Sequence, residues 1–467
     1  MRQQVALFSE MRVSSLTWPA HARALHFETD MSTLPRLRVG VGFGDITGPM
    51  VPVGMMGYAL AHQKVAGLAT RLKARAYVLE TPSSGVRLAF VSAEIWGITQ
   101  SLRQGVITRL ANEHSSLGLV EHNVMLTATH THSGPGGYSH HLLYNLSIAG
   151  YVAAIEQAIV DGIVNALVEA VEGLRPGTVA IQRGEIPVEE PVGFNRAMKA
   201  YNRNPDVAQL KAKDAHLAID RQMTTLRLDA EDGRALGAVN WFGVHGCSLH
   251  SDNHQIHSDN KGVAASALEA YAAERWDAPA FCGAFPQTTA GDVTPNFRWL
   301  RKRGVAVGVS DDDLESTRHN GEIQFRQARK LFEACGEADR LAPTLRAACR
   351  YADFFGLKAD PDFTGGIEGA RTGSATIGIS MIRGTEDGPG PLYRLRFLTW
   401  MLNGCCATYH WFRGLFRGRA HVNATSPQGN KFPFLQPGRG RLGRIFGLLR
   451  QSRPPIPGAV DPTVARL

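Results

Sequence analysis

A chain of 467 residues, 44% hydrophobic and 20% charged, is long enough for a large core in one big α/β domain or in two, and its composition is that of a soluble globular protein. Its six cysteines form neither a CxxC pair nor the dense set of a disulfide scaffold, which leaves reduced thiols as the default. The net charge of +8 argues for an anionic membrane surface or a nucleic acid only where it is clustered, and charge by itself is too little to make nucleic acid an expected partner.

Residues 1–30 show no continuous apolar run after Arg2, so no signal peptide is read, and a disordered extension ahead of Met31 is expected. The default compartment is then the cytoplasm. Residues 38–49 alternate apolar and small side chains, then stop at Asp45 and a Gly-Pro turn, the pattern of a strand followed by a ligand-sized loop. Gly40, Gly42 and Gly44 have the wrong spacing for a dinucleotide fingerprint, and Pro49 stands where a helix would open. They let another backbone or a substrate come close. Residues 75–79 and 87–92 read as strands around a turn at 82–85, and residues 101–110 as a helix with Leu102, Val106, Ile107 and Leu110 on one face.

Val124, Met125 and Leu126 form a short apolar strand that runs into His130, His132 and the glycine-rich turn Gly134-Pro-Gly-Gly137. Residues two apart on an extended chain point the same way, so both imidazoles should face one side of that turn. Imidazole is the commonest metal ligand and the best proton carrier near neutral pH, so one ring suits a metal and the other a substrate. Residues 151–174 follow as a long helix, with Ile155, Ile159, Ile163 and Leu167 at helical spacing and Gly173 closing it. Asn195-Arg196 opens a polar, turn-rich segment whose arginines could hold a substrate oxygen.

Residues 223–228 and 235–244 read as strands, and the second ends in His245. His250, His254 and His257 crowd the loop before Asp259-Asn-Lys-Gly262 and a helix from about Val263. Residues 278–285 are apolar and lead to Gly291-Asp-Val-Thr-Pro-Asn296. Asp45, His130, His245 and Asp292 with Thr294 each follow an apolar strand, and in open α/β sheets ligands bind beyond the carboxyl ends of strands. One shared site is the simplest reading. Asp311-Asp-Asp313 reads as a solvated helix start, residues 315–331 as an amphipathic helix, and residues 384–390 as a tight loop able to close over a site. No stretch is apolar and long enough to span a bilayer. At the C-terminal end no acidic residue falls between Asp387 and Asp461, whereas Arg394, Arg396, Arg413, Arg417, Arg419 and Lys431 do, interleaved with Trp400, Trp411, Phe412 and Phe416. That mixture suits peripheral contact with lipid headgroups, with a solvated basic face as the plain alternative.

The ordered motifs Gly42-Phe-Gly-Asp-Ile-Thr-Gly-Pro49, Gly54-Met-Met-Gly-Tyr-Ala59, Arg71-Leu-Lys-Ala-Arg-Ala-Tyr77, Thr127-Ala-Thr-His-Thr-His-Ser-Gly-Pro-Gly-Gly-Tyr138, Asn240-Trp-Phe-Gly-Val-His245 and Gly291-Asp-Val-Thr-Pro-Asn296 resemble those of the neutral/alkaline, non-lysosomal ceramidase family, from about Arg38 to Gly390. The resemblance implies a mixed β-sheet core flanked by helices, and a zinc-dependent amidase that splits the N-acyl bond of ceramide, or of a related N-acyl lipid, into sphingosine and fatty acid. It makes His130 and His245 zinc ligands, and makes His132, Arg196, Asp292 and Thr294 catalytic residues. Gly44 and Asp45 are taken as substrate-binding. Residues 31–395 would be the catalytic domain, and 396–467 an incomplete basic, aromatic-rich segment of it. The family is often secreted.

Thr294 stands where the family has a serine; it keeps a hydroxyl but adds a methyl group and a stiffer χ1. The family's further zinc ligands, a glutamate and a tyrosine, and its closing immunoglobulin-like domain are not expected in this chain. A catalytic zinc normally has three protein ligands, so another must come from elsewhere, with Glu368, Asp292, His250, His254 and His257 as candidates. The alternative function is an inactive relative that binds lipid or a membrane surface.

Overall fold

Residues 37–45 divide their side chains between opposite environments, and that division organises the fold. The computed structural model describes residues 37–435 apart from 146, 353, 374, 375, 391, 427 and 428. The expected extension over residues 1–30 and the tail beyond 435 lie outside them. Strand β1 (Leu37–Asp45) turns Leu37, Val39, Val41 and Phe43 into one apolar layer. Its other face carries Arg38 and then three glycines, and helix α2 (Ala153–Glu172) lies directly on the glycines. A Cβ on Gly40 would sit 2.0 Å from the Ala170 carbonyl oxygen, and one on Gly44 1.8 Å from that of Gly162. The close approach that the glycines were expected to permit is therefore that of a helix backbone.

β1 is central in an eight-stranded mixed sheet. The other strands are β2 (Lys73–Thr81), β3 (Val86–Ala93), β4 (Val124–Ala128), β5 (Arg175–Glu185), β6 (Gln222–Ala230), β7 (Ala235–Trp241) and β8 (Cys282–Ala284), in the order β8-β7-β6-β5-β1-β2-β3-β4. Only β3/β4 and β7/β8 pair in parallel; every other neighbour is antiparallel. The sheet coils until its two halves face each other. Trp241 of β7 meets Phe90 of β3 with ring centroids 5.5 Å apart, and the Tyr77 hydroxyl of β2 lies 3.0 Å from both the Ala238 and Cys282 carbonyl oxygens. The layer between the halves holds Val39, Tyr77, Leu228, Val239 and Cys282.

Helices cover the two outer faces. On one side Ile155, Ile159, Ile163 and Leu167 of α2 and Leu102 and Val106 of α1 (Gln100–Glu113) pack on Ala74, Ala76, Val78 and Val91. On the other, Ala265 and Leu268 of α3 (Asp259–Arg275) and Ile323, Leu331 and Phe332 of α4 (Asp313–Ala334) pack on Ala238, Phe242 and Phe281. The motif around Arg75 clasps the coil. Arg75 is buried, and its guanidinium bonds Glu94 beyond β3 and Glu269 on α3, each at 2.6 Å. A buried cation is tolerated here because two carboxylates meet it.

The helices read from periodicity are present at nearly their expected bounds, and Asp312 caps α4 by accepting from the Leu314 N–H, as a helix start should. Two strands are shorter than expected: β7 stops at Trp241, short of His245, and β8 covers only Cys282–Ala284. All six cysteines are free.

The chain divides into two compact units. Everything above belongs to the unit built from residues 35–351 and 380–395. Among the described residues the other unit comprises 352–379 and 396–435, with helices α5 (Arg396–Arg417) and α6 (Arg419–Thr425) and a strand pair between Ile377–Gly378 and Pro433–Leu435. No helix among the described residues is long and apolar enough to cross a membrane.

Candidate metal centre

The chain leaving β4 keeps company with the chain leaving β3: the Thr129 N–H donates to Ala93 O at 2.9 Å and the His130 N–H to Ile95 O at 3.0 Å. At His130 the backbone turns left-handed, with φ of 69°. The alternation of an extended chain is therefore not what brings His130 and His132 together; the turn at His130 does that. His130 Nδ1 lies 2.6 Å from the Trp96 carbonyl oxygen. A carbonyl only accepts, so Nδ1 carries the proton and Nε2 keeps its lone pair. His132 is buried with the edge of the Tyr58 ring against it at 4.7 Å, and neither of its ring nitrogens has a hydrogen-bond partner among the described residues.

The chain leaving β7 reaches the same place with different supports. The buried Lys261 ammonium donates to Phe242 O at 2.7 Å, and the Asn260 amide donates to His245 O at 2.9 Å and to the Ser248 hydroxyl at 3.0 Å. The Asp259 carboxylate accepts from the N–H groups of Ser248, Leu249 and Asn260, and burial pushes its pKa up to about 6. The Asp259-Asn-Lys-Gly motif is thus a bracket for the loop that carries His245. His245 Nδ1 lies 2.6 Å from Ala290 O, which assigns its proton to Nδ1 and its lone pair to Nε2.

The two arms then join. Thr131 and Gly246 form a parallel bridge, and the His132 N–H donates to Gly246 O at 2.9 Å. A Cβ on Gly246 would fall 2.5 Å from His130 O, so the contact requires glycine. Gln287 ties both arms by donating to Thr129 O at 2.8 Å while accepting from the Val244 N–H at 3.1 Å. β4 and β7 stand toward opposite ends of the ladder. A twist of about 20–25° per neighbouring pair, accumulated across the sheet, turns them until their extensions run parallel.

His130 lies 4.9 Å from His132 and 4.7 Å from His245 between ring centroids, and the ligand nitrogens of all three lie within 4.8 Å of one another. Burial holds every one of these rings below the ordinary imidazole range. His245 is pushed to about 3, by burial first and then by the Arg196 guanidinium; His132 falls well below, and His130 falls less far. Three neutral imidazoles, two with Nε2 lone pairs set by backbone carbonyls and one with orphaned buried nitrogens, fit a nitrogen-preferring divalent metal such as zinc.

Residues 37–399 match the model of the family described as neutral/alkaline non-lysosomal ceramidase, N-terminal. The chain belongs to this family. The neutral ceramidase of Pseudomonas aeruginosa is 38% identical over 394 residues, covering 83% of this chain and 54% of that protein. The neutral ceramidase of Mycobacterium tuberculosis is 34% identical over 364 residues, covering 76% and 54%. A solved structure described as "Ceramidase complexed with C2" superimposes with a TM-score of 0.68 at 38% identity, covering 77% of this chain and 53% of that one. The chain spans about half the length of these ceramidases, and its coiled mixed sheet with flanking helices is the fold it shares with them.

The remaining residues that resemble ceramidase site positions fall into two groups. Arg196 is with the histidines: its Nη2 lies 3.2 Å from His245 Nε2 and 3.0 Å from Gly291 O, while its Nη1 donates to the Asp387 carboxylate at 2.9 Å. Thr294 donates its hydroxyl to Asp387 at 2.7 Å and accepts from the Asn296 N–H at 3.0 Å. Asp292 supports the short antiparallel pairing of Val293–Thr294 with Phe194–Asn195, its carbonyl accepting from the Arg196 N–H and its carboxylate from Asn195. Gly44 and Asp45 have other company. Gly44 lies under α2, and the Asp45 carboxylate takes Arg71 at 2.6 Å and the Thr47 N–H at 2.9 Å.

Three of the extra ligand candidates have ring nitrogens engaged elsewhere. His250 spends both ring nitrogens on Asp313 and Ala306 O, His254 Nδ1 is on Lys64 O, His257 Nδ1 accepts from the Asp259 N–H, and Glu368 lies in the other compact unit. Asp387, buried and bonded to both Arg196 and Thr294, is the site residue that sequence reading missed. Its signal was the loop of residues 384–390, read as a tight loop able to close over a site but with no residue singled out.

Proposed function

We propose that this chain is a zinc-dependent amidohydrolase that cleaves the N-acyl amide of ceramide, or of a related N-acyl lipid, to sphingosine and a fatty acid. The observation that carries the reading is the convergence of three buried imidazoles, two of them with their protons assigned by backbone carbonyls, beside a fixed guanidinium, in a chain whose relatives are named neutral ceramidases. His130 and His245 would hold the ion through Nε2. A bound zinc supplies Lewis acidity, polarising an amide carbonyl and acidifying water to a pKa of about 7.

The chain's own residues supply the rest. His132 is buried, and neither ring nitrogen has a hydrogen-bond partner among the described residues, which leaves it a nitrogen open to take a proton from water and pass it to the leaving amine. Arg196 keeps an N–H on the His245 Nε2 lone pair, the one that ligation uses; ligation therefore frees that N–H for the acyl oxygen, where charge develops. Asp387 and Gly291 O hold the guanidinium in place, and Thr294 holds Asp387. Thr294 is on this reading a positioning residue.

A second reading, an inactive relative that binds lipid, is favoured by Thr294 itself, whose hydroxyl is committed both as donor and as acceptor. Elemental analysis of the purified chain, with fatty-acid release from an N-acylsphingosine, separates the two. Zinc and turnover that both vanish in His130→Ala and His245→Ala support the first; bound lipid without turnover supports the second. A wild-type chain with neither metal nor turnover would sink the first.

A further inference from the structure

We infer that helix α5 is a docking surface for an anionic lipid bilayer. An amphipathic helix of a globular unit normally turns its apolar stripe inward. Here the order is reversed. Within its own compact unit, Thr399 is buried and Asn403 accepts from the Phe432 N–H at 2.8 Å, whereas Phe397, Trp400, Met401, Phe412, Leu415 and Phe416 stand exposed, Trp400 by 80% and Phe416 by 86%. Phe397, Trp400 and Met401 form one group and Phe412, Leu415 and Phe416 another, each at three- and four-residue spacing, and about three helical turns separate Met401 from Phe412. They draw an apolar stripe along a helix about 33 Å long, which among the described residues is too polar to cross a membrane.

Charge decides what covers the stripe. A surface hollow of about 440 Å³ is lined by Tyr409, Phe412, Arg413, Phe416 and Arg417, so that two guanidiniums share it with three rings. The Arg413 guanidinium lies over the Tyr409 ring at 5.7 Å. Guanidiniums of this kind bind the phosphate or carboxylate of an anionic headgroup, while the rings take the interfacial depth that aromatic side chains favour. A second copy would bring the same positive face. The stretch beyond residue 435 carries no acidic residue before Asp461, so it offers little counter-charge of its own. An anionic bilayer supplies both what the rings and what the arginines lack. The inference makes no use of the histidine centre and stands or falls separately from amide hydrolysis.

The test is co-sedimentation of the full chain with phosphatidylcholine vesicles, with and without about one third phosphatidylserine, at about 0.1 M and about 0.5 M salt. Binding is expected to rise about tenfold or more with phosphatidylserine, and to lose that gain at high salt and in Arg413→Gln/Arg417→Gln. Phe397→Ser/Trp400→Ser/Phe416→Ser should bring binding close to background with an unchanged circular dichroism spectrum, because all of these side chains are exposed. Equal binding to neutral and anionic vesicles, or binding indifferent to both variants, overturns the proposal. So does a concentration-dependent dimer that the triple serine variant dissociates and that ignores vesicles.

Discussion

The arm leaving β4 and the arm leaving β7 bring histidines to one point but are held there by different chemistry. The first leans on backbone carbonyls, those of Ala93, Ile95 and Trp96, and on a left-handed turn at His130. The second leans largely on buried side chains, those of Asp259, Asn260 and Lys261. Backbone support is indifferent to most side-chain changes. Side-chain support is not, because each lost partner leaves a buried polar group unsatisfied. The arms should therefore fail to different insults.

Acid should break both together, and with the largest effect. Burial depresses the pKa of His130, His132 and His245 in the folded chain, so below about 6.5 these three rings bind more protons in the unfolded chain than in the folded one. Stability is intact above that pH and falls as the pH drops, the His245 contribution running out near about 3. A urea midpoint of metal-free protein that stays flat from about pH 7 to about pH 4 would contradict this linkage.

Gly246→Val comes next, because it strikes the point where the arms meet. Its Cβ would overlap His130 O, so a loss of about 3 kcal/mol or more is expected, with zinc stoichiometry falling toward zero. Near-wild-type metal content in this variant would show that the arms do not need their bridge. Asn260→Leu attacks the second arm alone, removing donors to His245 O and Ser248, and should cost about 2–3 kcal/mol. Amide exchange should speed up at residues 244–249 and not at 129–132; equal acceleration in both would erase the contrast between the arms. The smallest effect is expected from Thr131→Val in the first arm, which deletes one hydroxyl donor to His257 O at about 1 kcal/mol, read from the denaturation midpoint.

Much of this was legible in the sequence, but by local rules only. The α2 periodicity, the Asp312 cap and the strand that delivers His130 are short-range patterns, and short-range patterns survive in a string of letters. Sheet coiling is not short-range. The rule that sites lie beyond strand ends in open sheets led to His130 and His245, which the structure brings together, although this sheet is mostly antiparallel and coils until its halves pack on each other. The glycines of β1 announced a close approach without saying that α2 was the visitor. Asp387 could not be paired with Arg196 by spacing, since nothing local connects them. The inverted face of α5 was hidden for the same reason: composition shows an amphipathic stripe, but not which side the rest of its unit leaves uncovered.

The bridge between Thr131 and Gly246 also places the site in time. Its partners are far apart in sequence, with strands β5, β6 and β7 between them. Closing so long a loop is slow and entropically costly until the contacts it gathers compensate. In refolding, therefore, metal capture should lag behind the recovery of helical circular dichroism, and simultaneous recovery would argue for an early, local site. A collapsed chain can own all three imidazoles and still lack a centre, so metal binding would report that this long-range contact has been made.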